Sequence, residues 1–431
     1  MLKQSEMKRL LKRFWDDAYI RNSAIFFSGS MFVAFLNYLR YPLLSRVLPV
    51  ESFGEVQALL AVYSEIAMAL GAFSMATIHL SANCEDADEC AAVAQLFRNA
   101  SFVLVAVMVA GVVIGAQVFA SALHFANPVP FLVLGVMLLV SALYSVRLGY
   151  LQGQSRFGRA VIASSIVSGS GLLCIALFTY LGWGTAGAIG GIVAGQVLAL
   201  GFVWFNTRHA LKRHPDKPFV LTPARAGEEL RHVGCTFVTL ASLTILYTAD
   251  TIVVKRYFPA VDAGLYSGVS TVSNIVVFAS APLASVMLSA IKRSHSLAQN
   301  LHALRKGLLG VGAVGGAVTF GFALIPSFVV KALMGAKYLP YAQLLPLQSV
   351  AFFCVALANV LVMYSLALRR YTLTVVAGCA CALLVALTLA HHARLEEVVQ
   401  NFTLTGAGTL LVSGYVVLRD LRRPSVPPSA P

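Results

Sequence analysis

The chain has 431 residues, of which 58% are hydrophobic and 12% are charged, and its formal net charge is +14. Soluble domains carry about 25% charged residues, so this composition excludes an ordinary soluble fold and indicates a multi-pass membrane protein. The basic residues lie mainly between the apolar runs, a distribution that sets membrane topology and argues against nucleic acid as a partner.

The first 21 residues precede the apolar runs and differ from them in composition. They contain six basic residues, and apolar residues recur among them at helical spacing. This pattern predicts an amphipathic helix at 1–21 that lies on the cytoplasmic membrane surface, rather than a cleaved signal peptide.

Twelve apolar segments follow, each long enough to cross a membrane as a helix. The predicted spans are 22–47, 53–82, 96–123, 129–150, 158–181, 185–206, 230–257, 264–291, 306–331, 341–367, 371–391 and 397–418. The longest connection, 207–229, is basic and rich in proline, and it divides the spans six and six. The sequence therefore predicts an all-α polytopic membrane protein with an N-lobe at 22–206 and a C-lobe at 230–418.

The distribution of lysine and arginine predicts the orientation of the spans. If both termini are cytoplasmic, 25 of the 32 basic residues fall on the cytoplasmic side. The positive-inside rule therefore places the linker 207–229 and the tail 419–431 in the cytoplasm.

An internal repeat relates the two lobes. Residues 46–54 read RVLPVESFG and residues 256–264 read RYFPAVDAG, so both fit R-x-x-P-x4-G, at an offset of 210 residues. Each motif lies at the outer end of the first helix of its lobe. Internal repeats are common in transporters, and this one predicts two pseudo-symmetric lobes related by an axis along the membrane normal.

The same offset pairs two charged residues inside apolar helices. Arg40 in the first span corresponds to Asp250 in the seventh, and Asn37 corresponds to Tyr247 one turn earlier on the same helix face. A charge at the bilayer centre costs at least about 2.5 kcal/mol, so such residues usually face a cavity or a partner. Three interpretations of Arg40 stay open: a solvated cavity between the lobes, a structural pair with Asp250, or snorkelling to the outer surface.

Two stretches of the chain resemble a known family. LLSRVLPVESFG at 43–54 is similar to the junction of helices 1 and 2, with Pro49 where a glycine is usual, and GYLQGQSRFGRA at 149–160 is similar to the loop of helices 4 and 5. The family is the polysaccharide transporter branch of the MOP exporter superfamily, the Wzx-type oligosaccharide flippases. Twelve spans, two lobes and cytoplasmic termini extend the resemblance over nearly the whole chain.

The resemblance implies a MATE-like fold and a flippase of the bacterial inner membrane. Such proteins move undecaprenyl-pyrophosphate-linked oligosaccharide, a repeat unit of O-antigen, capsule or exopolysaccharide, from the cytoplasmic to the periplasmic leaflet by alternating access. The expected partners are the lipid bilayer and the lipid-linked oligosaccharide, with a polysaccharide polymerase and a chain-length regulator as candidates. No cofactor or metal is expected, and H⁺ or Na⁺ is a candidate coupling ion.

The basic residues receive candidate roles on this basis. Arg40 is the candidate for the deep pyrophosphate contact, because guanidinium groups bind phosphate oxygens through paired hydrogen bonds. Three arginines at the cytoplasmic mouth could receive the headgroup first, or could simply set topology: Arg147, Arg156 and Arg159. Arg46 and Arg256 lie at the outer mouth, where release and structural anchoring are equally compatible with the sequence.

Asp250 and Glu65 are the candidate ion-coupling carboxylates, and a local hydrogen bond is the alternative role for Glu65. Two other functions stay open. A cation-coupled multidrug antiporter of the same superfamily would favour acidic cavity residues such as Asp250. A membrane-embedded enzyme of polysaccharide biosynthesis would need catalytic groups on sizeable loops, and the outer loops here are short. A lipid II flippase would typically have two further helices.

Overall fold

The computed structural model describes residues 18–82, 87–154, 156–212, 223–291 and 296–422. Within these segments the chain is helical apart from turns and one 3-10 helix. Most of the predicted surface helix 1–21, the middle of the linker 207–229 and most of the tail 419–431 lie outside the described residues.

The helices are numbered here in chain order. They are α1 (Ala18–Val47), α2 (Val50–Ala82), α3 (Ala87–Ile114), α4 (Ala116–Ala122), α5 (Val129–Gly153), α6 (Phe157–Tyr180), α7 (Gly184–Lys212), α8 (Pro223–Tyr257), α9 (Ala260–Ser273), α10 (Ile275–Ala290), α11 (Leu297–Leu324), α12 (Pro326–Leu333), α13 (Leu345–Ala367), α14 (Thr372–Ala390) and α15 (Leu395–Arg422). The 3-10 helix, Ala336–Leu344, directly precedes α13.

Each predicted span coincides with one helix or with two consecutive ones. By length and apolar composition, ten helical segments of the described chain can cross a membrane, and eleven can if the bent pair α3–α4 counts as one. The helix of the remaining predicted span is α1, which is not among them. The prediction of an all-α, multi-pass membrane protein is therefore confirmed.

Several spans are interrupted for identifiable local reasons. The bend between α3 and α4 measures 59° and falls at Gly115. Helix α12 begins at Pro326, after a break at Ile325, because a residue before proline is disfavoured in the helical conformation. Two further prolines, Pro42 and Pro282, lie inside helices that continue past them.

The helices extend further into polar sequence than the apolar spans predicted. α7 continues to Lys212 and α8 begins at Pro223, so both ends of the predicted linker are helical. α11 begins at Leu297 rather than at 306, and its start is capped reciprocally by Ser296 and Gln299. Hydropathy marks only the part of a helix that crosses hydrocarbon, whereas backbone hydrogen bonds and caps continue it into water.

The described helices form two compact units. The first comprises Met1–Leu48 and Ala69–Ala226, and the second comprises Pro49–Met68 and Gly227–Pro431. The predicted lobes divide the chain at the linker alone. The structure differs at 49–68, which comprises Pro49 and the first part of α2 and packs with the helices of the second unit.

Close helix packing through small residues organises the first unit. α6 packs against α7 and α1, and α5 packs against α7 and α3. A Cβ on Gly195 of α7 would lie 2.5 Å from the carbonyl oxygen of Val167, and one on Gly191 would overlap the backbone of Ile175. The small-residue run at 184–195 therefore permits the close contact that its spacing predicts.

The second unit repeats part of this packing. α13 packs against α15 and α11, and α14 packs against α15, which are the counterparts of the α5–α7, α3–α5 and α6–α7 contacts. α13 is its central helix, and residues from it enter an apolar core with residues of α8, α10, α11, α14 and α15. Both units are thus built on one packing scheme, as the internal repeat predicts.

Candidate functional site

A polar groove lies on the first unit between α1, α5 and α6. Its polar walls are Ser30 and Asn37 of α1, Gln152 of α5 and Ser164 of α6, and its volume is about 220 Å³. Amide and hydroxyl groups both donate and accept hydrogen bonds, so the groove can satisfy a polyhydroxylated ligand that hydrocarbon cannot.

The local sequence explains why these side chains meet. Ser30 and Asn37 are two turns apart and share one face of α1. A Cβ on Gly29 would overlap the side chain of Val161, so glycine lets α1 approach α6 at this level. The Tyr144 hydroxyl lies 3.4 Å from the Ser164 Oγ, which ties α5 to α6 beside the groove.

Arg40 lies one turn after Asn37 on α1 and is half-buried. Its Nη2 donates to the Tyr41 hydroxyl at 2.8 Å, and its Cζ lies 4.8 Å from the centre of the Tyr41 ring. Its Nε is buried and has no hydrogen-bond partner among the described residues. Arg40 therefore combines a positioned guanidinium with a donor that a bound anion could use.

The three arginines predicted at one mouth do not form one cluster. Arg156 directly precedes α6 and Arg159 lies in its first turn, and both are exposed. Arg156 is one turn before Ala160, which lines the polar groove. Arg147 is buried, and it lies five residues before Gln152, about 140° away around α5, so it points away from this groove.

Asp250 of α8 lies in a fully buried polar network inside the second unit. Its Oδ2 accepts hydrogen bonds from the Tyr266 hydroxyl at 3.1 Å, from the Ser270 Oγ at 2.5 Å and from the Gln348 Nε2 at 2.8 Å. The Thr251 hydroxyl donates to its Oδ1 at 3.3 Å. The Gln348 Oε1 is buried without a hydrogen-bond partner among the described residues, so the network keeps one acceptor for an added proton or cation.

Glu65 and Tyr247 also lie in the second unit, but neither belongs to the hydrogen-bond network of Asp250. The Thr248 hydroxyl donates to the Glu65 Oε1 at 2.6 Å, a hydrogen bond that joins α8 to α2. Thr248 and Asp250 are two residues apart, about 160° around α8. The carboxylate of Glu65, which is bonded to Thr248, and the carboxylate of Asp250 therefore lie on different sides of that helix. Tyr247 packs against the apolar core of the second unit.

The two arginines of the repeat motif lie near the ends of their helices. Arg46 lies in the last turn of α1 and Arg256 in the last turn of α8, and both are exposed. Basic residues in a last turn complement the negative end of the helix dipole, which supports the anchoring interpretation. Lys255, next to Arg256, is 1% exposed and interacts electrostatically with Glu55 and Glu51 at the start of α2.

Sequence reasoning missed most of the partners of the residues that it selected. These partners are Ser30, Gln152, Ser164, Tyr266, Ser270 and Gln348. A signal existed for Gln152 and Gln348, because each is an amide side chain inside a largely apolar helix. Serine and threonine give no such signal, since they often donate to the carbonyl four residues earlier in their own helix.

The fold is shared with solved transporter structures of low sequence identity. An inward-facing multidrug resistance MATE family transporter of the MOP superfamily superposes with a TM-score of 0.73 at 14% identity, over 91% of this chain and 96% of that chain. The lipid II flippase MurJ, in an inward closed conformation, superposes with a TM-score of 0.69 at 15% identity, over 92% and 87%. An outward-facing MATE transporter gives 0.60 at 15% identity, over 94% and 96%.

Sequence comparison assigns a family rather than a near relative. No curated protein matches the chain. The model of the family described as "Polysaccharide biosynthesis protein" matches residues 19–295, which is more than half of the chain and includes both copies of the R-x-x-P-x4-G motif. The structural likeness shows a MATE-like helical fold, and the family match shows that the chain belongs to the polysaccharide biosynthesis protein family.

Proposed function

We propose that the protein moves undecaprenyl-pyrophosphate-linked oligosaccharide from the cytoplasmic to the periplasmic leaflet of the bacterial inner membrane by alternating access. The observation that carries this proposal is the polar groove of the first unit, with Arg40 one helical turn from its Asn37. The substrate has the same two parts, a polyhydroxylated glycan and an anionic pyrophosphate.

The chemistry of the substrate supports this division of labour. Moving sugar hydroxyls into hydrocarbon without hydrogen-bond partners costs free energy. The groove offers amide and hydroxyl groups as partners instead. Arg40 binds the pyrophosphate through its guanidinium, including the buried Nε. The prenyl chain stays in the surrounding lipid throughout, so its movement between the leaflets adds no cost in free energy.

The remaining arginines divide by position. Arg156 and Arg159 make the first contact with the headgroup, because both are exposed at the end of α6 that leads to the groove. Arg46 and Arg256 assist release at the opposite helix ends. Arg147 takes no part in this path, since it points to another face of α5. The flipped product would pass to a polysaccharide polymerase and a chain-length regulator.

The buried network of the second unit supplies the coupling site in this proposal. Asp250 takes up H⁺ or Na⁺, with the Gln348 Oε1 as a further oxygen ligand. Glu65, bound to Thr248, is the second candidate. If Asp250 couples transport to an ion gradient, Asp250→Asn should leave transport insensitive to that gradient, whereas Glu65→Gln should leave the sensitivity in place.

A flipping assay tests the proposal directly. Purified protein is placed in vesicles with a fluorescent prenyl-pyrophosphoryl oligosaccharide, and the fraction that reaches the opposite leaflet is measured with a membrane-impermeant quencher. We expect Arg40→Ala and Gln152→Leu to lower the rate at least about tenfold, the effect of losing about 1.4 kcal/mol of interaction. Arg305→Ala and Gln343→Leu, which alter exposed residues of the second unit, should transport normally.

The assay also separates the competing functions. Normal transport by Arg40→Ala and Gln152→Leu would refute the assigned site. Failure to move the oligosaccharide, together with proton-dependent efflux of organic cations, would favour the multidrug antiporter, the function that the buried Asp250 supports. Recovery of a chemically altered oligosaccharide would instead indicate a membrane-embedded enzyme.

A further inference from the structure

A second groove lies on the first unit, on the other side of α5 from the polar groove. It is enclosed by α3, α5 and α7 and has a volume of about 380 Å³. Its lining residues are Asn99, Phe102, Val103, Leu143, Arg147 and Trp204. The proposed transport path makes no use of this groove, so its one cation and its apolar walls call for a separate explanation.

Arg147 is the charged group of this groove and is held in a fixed position. Its side chain is 5% exposed, its Nη1 donates to the Thr207 Oγ1 at 2.9 Å, and its Cζ lies 4.1 Å from the centre of the Trp204 ring. Thr207 in turn donates to the Val203 carbonyl at 2.7 Å. These contacts orient the guanidinium before any ligand arrives, which lowers the entropy cost of binding.

The rim of the groove is apolar and open. Phe102, Val103 and Trp204 are 49%, 65% and 49% exposed, respectively, on helices that cross the membrane. In a bilayer these side chains contact acyl chains, and tryptophan in particular favours the boundary between headgroups and hydrocarbon. The groove therefore presents a buried cation to a ligand that has an apolar body.

Arg147 lies near one end of α5. Arg147 lies six residues before the end of α5 at Gly153, a distance of about 9 Å along the helix. Arg208 follows Trp204 by one turn on α7, stacks over Phe205 at 4.4 Å and has a buried Nε without a hydrogen-bond partner among the described residues. A second cation thus lies nearer the helix end, on the Trp204 side.

We propose that this groove binds an anionic phospholipid of the surrounding bilayer. Arg147 contacts the headgroup phosphate, Asn99 donates a further hydrogen bond at the rim, and the acyl chains lie along Phe102, Val103 and Trp204. The phosphate oxygens accept charge-assisted hydrogen bonds from the guanidinium. The site is separate from the proposed transport path. The result of a lipid-binding test therefore does not bear on the proposed flippase function.

Quenching of Trp204 fluorescence by brominated lipids tests this site with its native side chains. The chain has three tryptophans, so Trp15→Phe and Trp183→Phe leave Trp204 as the sole reporter. This protein is reconstituted with brominated phosphatidylglycerol in ordinary phosphatidylcholine, and with the reverse labelling. We expect about a fivefold preference of the Trp204 position for phosphatidylglycerol, the size of effect that one basic residue near a membrane surface gives.

Two controls separate a built site from general attraction to anionic lipid. Trp183, in the turn between α6 and α7 at the opposite helix ends, should show no preference when it is the sole tryptophan. Arg147→Gln should abolish the preference at Trp204, whereas Arg305→Gln, an exposed arginine of α11, should preserve it.

Three outcomes would overturn the proposal. Equal quenching of Trp204 by both lipids would show that no anionic lipid is selected, and an equal preference at Trp183 would show that the attraction is not local. Relief of the quenching by traces of undecaprenyl phosphate, but not by unlabelled phosphatidylglycerol, would assign the groove to a prenyl phosphate instead. The comparison of Trp204 with Trp183 remains decisive even if Arg147→Gln fails to fold.

Discussion

Asp250 shows how a charged residue becomes compatible with an apolar helix. Its partners lie 16, 20 and 98 residues further along the chain, at Tyr266, Ser270 and Gln348. The 210-residue offset of the repeat identified Asp250, but no local pattern could name donors that only the packing of α8 against α9 and α13 brings close. The matched position Arg40 is only half-buried and donates to its neighbour Tyr41, so the repeat relates the positions but not their environments.

The network makes Gln348 a stabilising residue whose loss is measurable. Gln348→Leu removes the donor to Asp250 at 2.8 Å and the donor to the Tyr266 hydroxyl at 2.9 Å. Buried groups that lose a partner cost about 1–3 kcal/mol each, so the free energy of unfolding should fall by at least that amount. Chemical unfolding in detergent, followed by circular dichroism, measures the change.

Gln343→Leu is the matched control, because Gln343 is exposed in the neighbouring 3-10 helix. It should leave the unfolding free energy nearly unchanged. Equal stability of the two variants would mean that the Asp250 network is satisfied without Gln348, and the assignment of Gln348 to it would then be wrong.

At the scale of elements, the R-x-x-P-x4-G repeat is a repeated helix junction. Leu48 donates to the Leu44 carbonyl at 2.9 Å, and Phe258, 210 residues later, donates to the Val254 carbonyl at 3.0 Å. After each proline, the bonds Phe53 to Pro49 and Ala263 to Pro259 repeat at 3.0 and 2.9 Å. The sequence predicted the equivalence of these junctions, and the backbone shows it bond by bond.

The glycines that end the two motifs meet each other within the second unit. A Cβ on Gly54 of α2 would lie 2.8 Å from the Cα of Gly264 on α9, and a Cβ on Gly264 would overlap the carbonyl of Val50. Motif spacing could not predict this contact, because it relates two positions in sequence without stating that they touch. Glycine is required at both positions because backbone, rather than a flexible side chain, occupies the space.

Gly264→Ala should therefore destabilise the protein although alanine is the better helix former. The added methyl must displace α9 from α2, and overpacking of this kind costs about 1–3 kcal/mol. Gly408→Ala in α15 is the control, since a Cβ there meets nothing within 4 Å. It should be neutral or stabilising by up to about 1 kcal/mol. Thermal unfolding of both variants measures the difference, and a Gly264→Ala protein as stable as Gly408→Ala would contradict the close contact.

At the scale of the whole molecule, hydropathy predicted the order of the membrane-crossing segments but not how they group into units. Residues 50–68 precede 69–82 in the single helix α2, yet they pack with the second unit while the rest packs with the first. The contacts responsible are the Glu65–Thr248 hydrogen bond, the Phe53–Tyr338 ring contact at 5.6 Å and the Gly54–Gly264 contact. Linker composition could locate the break in the chain, but it carries no information about a helix shared by two units.

This division predicts how the protein behaves when it is cut in the linker. A fragment of residues 218–431 lacks 49–68 and so leaves the α2-facing surfaces of α8 and α9 uncovered. Expressed alone, it should be degraded or aggregate in detergent; expressed with residues 1–217, it should be recovered as a complex. Gly54→Leu in the first fragment should lower that recovery several-fold, because the side chain separates α2 from α9, whereas Gly111→Leu on an open face of α3 should not. A fragment 218–431 that is monodisperse alone and ignores residues 1–217 would show that the second unit is complete without α2.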